Sequence, residues 1–208
     1  MSTSRTHTRN ALILIAACAL SAGARAHIGH DSDELVHGQA STLLSGFLHP
    51  LTGLDHLAAM VAVGLWSALT AHRAWPDLLW APLGFAAMLL AGAMLGLQGV
   101  PLPAVEPMIA ASLLVIGLLV LTRWRVPGVA AATLVGVFAV FHGLAHGYEL
   151  AGDANAFAVM AGMMAATLLL HAAGVAVGWA LRHVNTWVPR LAGAGVAVFG
   201  LVLLGRLA

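Results

Sequence analysis

Six apolar stretches, at about 41–70, 78–97, 106–122, 128–150, 155–181 and 189–206, follow one another with only short joints between them. A helix rising about 1.5 Å per residue needs about 20 residues to cross the hydrocarbon of a bilayer. Inside that layer the backbone finds no water, so each stretch must close its hydrogen bonds within a helix. The expected fold is all-α: a polytopic membrane bundle of six transmembrane helices occupying residues 41–208. Charged residues make up 8% of the chain. An average soluble domain has about 25%, so no separate soluble catalytic domain fits.

Residues 1–26 read as a cleavable signal peptide. Arg5 and Arg9 give a positive start, Ala11 to Ala22 a short apolar run, and Ala24-Arg25-Ala26 a small-x-small cleavage site. The lone cysteine, Cys18, leaves with it, which excludes disulfides and thiolate metal sites from the mature chain. Residues 27–40 then form a short extracytoplasmic segment bearing His27, His30, Asp31, Asp33, Glu34 and His37. His27 and His30 are candidates for an accessory, collecting metal site. The alternative is a solvated tail whose side chains never converge, which avoids an ordering cost of about 1–2 kcal/mol per residue.

The nine basic residues are all arginine and form no cluster, which argues against a nucleic-acid partner. With the mature N-terminus outside, the inward loops carry Arg73, Arg123, Arg125, Arg182 and Arg190, and the outward loops carry none. This positive-inside bias places both mature termini outside the cytoplasm. In a bacterium that means the inner membrane with periplasmic termini. Gly92/Gly96, Gly143/Gly147 and Gly174/Gly178 are small-xxx-small pairs that let helices approach closely. Trp66, Trp75, Trp80, Trp124 and Trp187 mostly flank spans and read as interfacial anchors.

Two short polar motifs interrupt this apolar plan. In Phe141-His142-Gly143-Leu144-Ala145-His146-Gly147-Tyr148-Glu149, helical spacing puts His142, His146 and Glu149 on one face. In His49-Pro50-Leu51-Thr52-Gly53-Leu54-Asp55-His56, an unbroken helix would hold the two histidines about 10 Å apart along its axis. Pro50 and Gly53 are expected to break the first span, bring His49 towards Asp55 and His56, and free carbonyls beside them. The first span runs inward from its motif and the fourth runs outward to its own, so both motifs meet at the same depth. Ionisable groups inside a bilayer are costly unless something uses them. His49, Asp55, His56, His142, His146 and Glu149 are therefore candidate metal ligands. Imidazole and carboxylate without thiolate suit Ni²⁺ or Co²⁺, and Zn²⁺ fits the same donors.

Paired histidines beside glycine also fit a haem-binding b-type membrane electron-transfer protein, although haem does not need the carboxylates. Enzyme signatures such as H-E-x-x-H and G-x-S-x-G are absent from the sequence, and a transporter rather than an enzyme is expected. His171 is either a later station on the ion's path or a histidine bonded to a backbone carbonyl. Glu106, before Pro107, and Asp77 read as carboxylates at helix starts, with Glu106 a second accessory candidate.

These motifs resemble the HupE/UreJ family of nickel/cobalt permeases. The H-x5-D-H pattern is met by His49, Asp55 and His56. F-H-G-x-A-H-G-x-E is met by Phe141, His142, Gly143, Ala145, His146, Gly147 and Glu149. The resemblance implies secondary or facilitated uptake of Ni²⁺, sometimes Co²⁺, carried as substrate with no cofactor. Its partners are then the metal ion and the bilayer; oligomeric state is not implied.

Overall fold

The computed structural model describes residues 39–71, 76–182 and 186–207. The stretch expected to be a signal peptide, His27, His30 and Trp75 lie outside the described residues. Among those described there are seven α-helices and no strand: α1 Gln39–Thr52, α2 Leu54–Thr70, α3 Trp80–Leu97, α4 Val105–Thr122, α5 Gly128–Glu149, α6 Ala156–Leu181 and α7 Trp187–Leu207. Helices α3 to α7 are each long and apolar enough to cross a membrane, and α1 with α2 makes a sixth crossing if that bent pair is one span. The chain is a multi-pass helical membrane protein.

Helix pairing follows the glycines. α3 lies along α5, α2 along α6, and α4 along α7, while α1 packs on the first half of α6. A Cβ at Gly143 would overlap the Leu89 carbonyl oxygen, and one at Gly92 would overlap that of Val140, so α3 and α5 touch backbone to backbone. Gly64 and Gly174 do the same between α2 and α6. Without a hydrophobic force between helices in lipid, such close van der Waals contact is what holds them. The middle of the bundle is dry: Val63, Phe85, Ile116, Val120, Val135 and Ala139 are each 0% exposed.

Three expectations are corrected. The bend between α1 and α2 lies at Gly53 alone. α1 continues helically through His49 and Pro50 to Thr52, and α2 leaves at 79°. Gly46, four residues before the proline, sits against the Val159 backbone of α6, so tertiary contact carries the helix past one missing hydrogen bond. His49 C=O accepts from Gly53 N–H and the Thr52 hydroxyl, and Gly53 C=O accepts from Leu57 N–H.

Trp66 is the second correction: it is buried, and its indole N–H donates to the Trp124 carbonyl at 2.9 Å. Trp80, Trp124 and Trp187 are exposed, as anchors are. Third, neither Asp77 nor Glu106 stands at an N-cap position. The N-caps are Leu79 and the left-handed Ala104, and neither makes a side-chain capping bond. Glu106 lies exposed in the first turn of α4, where its charge still suits the helix dipole.

Candidate metal centre

The bend at Gly53 is what assembles the site. It returns His49, near the end of α1, to within 5.6 Å of the His56 ring on α2, measured between centroids. Gly53 is required closely here, since a Cβ would stand 3.0 Å from His56 Nδ1 and 3.1 Å from Asp55 Oδ1. From the last turns of α5, His146 enters between them, 5.0 Å from His49 and 4.6 Å from His56. One ligand atom from each of His49, His56 and His146 lies within 4.8 Å of the others. Metal–nitrogen bonds of about 2.0–2.1 Å hold two ligands at most about 4.2 Å apart. Three such ligands sharing one ion stand about 3.4–3.6 Å apart, so closure asks for a contraction of up to about 1.4 Å.

The remaining expected ligands stand one step back. Asp55 Oδ1 meets His56 Nδ1 at 2.9 Å, which directs the opposite nitrogen, Nε2, away from the carboxylate. That Nε2 is buried and has no protein partner. Glu149 Oε2 lies 3.5 Å from His146 Nδ1, whose ring is buried, while the carboxylate itself is part-exposed. A carboxylate behind an imidazole fixes the ring's tautomer and raises its basicity as a ligand. His142 is fully buried, its ring 5.5 Å from His56.

Ser112 on α4 was not legible as a site residue. Its hydroxyl donates to Ile109 C=O at 2.6 Å, and its Oγ is 2.9 Å from His142 Nε2. A hydroxyl has one hydrogen. With that hydrogen on Ile109, His142 donates from Nε2 and keeps a bare lone pair on Nδ1, which has no partner. The only hint in the sequence is that Ser112 is the sole polar residue between Glu106 and Thr122 in an apolar span. Tyr148, beside Glu149, donates its hydroxyl to Val100 C=O and accepts from Leu102 N–H at 3.2 Å, tying the α3–α4 loop to the site's end of the bundle.

His171 resolves to the carbonyl-bonded alternative on one side: its Nδ1 is 2.7 Å from Met60 C=O. Its Nε2 is buried without a partner. Phe85 stands between it and the site, 5.2 Å from His171 and 5.8 Å from His142. Glu106 is not brought to the cluster.

Unpartnered ring nitrogens in a dry bundle are expensive, since each gives up hydration without replacement. Here those of His56, His142 and His146 converge from α2 and α5, and His49 joins them from α1. That arrangement can replace the water shell of a borderline divalent ion. It cannot hold a porphyrin between the rings, because the rings already touch one another.

A family model described as HupE / UreJ protein matches residues 15–203. "Protein HupE" of Rhizobium leguminosarum bv. viciae is 39% identical over 193 residues, covering 91% of this chain and 94% of that protein. No solved structure matches the chain.

Proposed function

This chain belongs to the HupE/UreJ family, and from that premise we propose that it carries a divalent transition-metal ion, Ni²⁺ or Co²⁺, across the bacterial inner membrane. The reading rests on one observation: His49, His56 and His146 come from three helices and gather their ligand atoms within 4.8 Å inside an apolar bundle. The ion enters from the periplasmic side, sheds water, and binds the three imidazoles. Asp55 orients the His56 ring it bonds, and Asp55 and Glu149 both supply negative charge that offsets the ion's own. His142 and then His171 are the next imidazoles inward.

Transport is secondary or facilitated, with the ion as substrate and no resident cofactor. Zn²⁺ fits the same donors, and competition decides the preference. The arginine bias of the loops supports an orientation with the site towards the periplasm and both termini periplasmic.

The test is uptake of labelled Ni²⁺ into proteoliposomes, competed with Co²⁺ and Zn²⁺. Uptake should vanish in His146→Ala and His56→Ala while the protein still reaches the membrane. Undiminished uptake in both variants refutes the assignment. A Soret band on the purified chain would instead support haem. Substrate turnover without net ion movement would point to a metal-dependent hydrolase.

A further inference from the structure

A second space, lined in part by polar groups, lies at the opposite end of α2 and α5, two of the helices that build the histidine site. It is a cavity of about 320 Å³ lined by Ser67 and Thr70 of α2, Asp77 ahead of α3, Arg125 of the α4–α5 joint, and Ala131 of α5. At about 30 Å³ per water it has room for roughly ten. From His56 to Ser67 on α2, and from His142 to Ala131 on α5, is eleven residues, about 16 Å of helix. The interval holds the dry core of Val63, Phe85, Val135 and Ala139.

The geometry points to this chamber as the aqueous exit vestibule for the carried cation, with Asp77 the carboxylate that meets the ion as it leaves the dry core. The assignment rests on the transport reading above. Its chemistry follows from the donors. The histidine site offers nitrogen, which first-row divalent ions bind tightly, whereas the chamber offers carboxylate and hydroxyl oxygen. Ser67 and Thr70 already donate their hydrogens to Leu78 C=O and Trp66 C=O, so towards the chamber they have acceptor lone pairs to give. Oxygen donors with water at hand hold such an ion loosely, and Arg125 repels it. The chamber therefore rehydrates and releases the ion rather than storing it. The 16 Å between is the barrier that keeps site and chamber from forming an open pore.

The experiment is side-specific thiol labelling of the full chain. The sequence has one cysteine, Cys18, which is changed to serine. Thr70→Cys and Val135→Cys are then exposed to a membrane-impermeant charged maleimide in right-side-out and inside-out vesicles. Thr70→Cys should label from the cytoplasmic face alone. It should label at least about tenfold faster than Val135→Cys, which reacts only on local opening. Asp77→Asn, in the same vesicles, should lower maximal Ni²⁺ uptake several-fold at unchanged half-saturating metal.

Labelling of Thr70→Cys from the periplasmic face, or its failure to label, overturns the vestibule. So does labelling of Val135→Cys at a comparable rate. Unchanged uptake in Asp77→Asn removes that residue from the path. The expected labelling without any metal uptake by the wild-type chain overturns the transport reading, and the exit role with it, while leaving the chamber aqueous.

Discussion

Asp55 holds His56 Nδ1 at 2.9 Å, so whatever it does to an ion it does through that ring. Asp55→Asn keeps the shape and removes the charge. Loss of such a supporting carboxylate costs about 10–100-fold in metal affinity, and the expected result is a rise of that order in half-saturating Ni²⁺. An unchanged value would make Asp55 a packing residue. Ser112→Ala removes the group that fixes His142 by its Nε2, and should weaken uptake in the same way. Imidazoles bind metal only when neutral, and each proton they take adds a positive charge where the ion must sit. Uptake at fixed free metal therefore falls as pH is lowered through the imidazole range and levels off once the rings are neutral. A rate that climbs with acidification would contradict nitrogen ligation. The glycine-spaced motif made His142, His146 and Glu149 legible because helical spacing alone puts them on one face. It could not show that His142 is turned towards Ser112, since that contact joins residues thirty apart on different helices.

Six apolar runs announced the helices, because in lipid a backbone has few other ways to satisfy itself. Their ends agree with the structure to within a few residues. The bend at Gly53 was legible, since Gly53 was one of the two places where the run was expected to break; that the helix would run on through Pro50 was not. Pro50 removes one hydrogen bond, and packing of Gly46 and Gly162 between α1 and α6 outweighs that loss, so the chain turns at Gly53 instead. Which helices pair was equally hidden, because a small-xxx-small face names no partner. The glycines supply the test at this scale. Gly143→Ala forces a methyl onto the Leu89 carbonyl of α3, and should destabilise the bundle by about 3 kcal/mol, the upper end of the usual overpacking cost. Gly195→Ala on α7 meets open space and should be neutral, or stabilising by about 0.5–1 kcal/mol through lost unfolded-state freedom. Thermal unfolding in detergent, read by circular dichroism, separates the two; equal midpoints would mean α3 and α5 do not touch as described.

Across the whole molecule the site joins two groups of helices whose most extensive packing is within each group. His49 and His56 ride on α1 and α2, which pack on α6, while His146 rides on α5, which packs on α3. An ion bound by all three imidazoles therefore staples the α1–α2–α6 group to the α3–α5 pair at one end of the bundle. Below the histidines the two groups share a dry core, which seals the membrane but is held only by packing. Anything that binds the folded state alone stabilises it by mass action, about 2.7 kcal/mol at a hundredfold excess over Kd. Ni²⁺ should accordingly raise the unfolding midpoint of the purified protein, and a chelator should return it. His146→Ala breaks the staple on the α5 side. It should abolish the Ni²⁺-induced shift, while in the metal-free protein the lost packing of a buried ring is set against the removal of two nitrogens without a hydrogen-bond partner, so that midpoint should move less. A large metal-free loss would mean that His146 is there for packing, and a shift that survives the substitution would place the ion elsewhere.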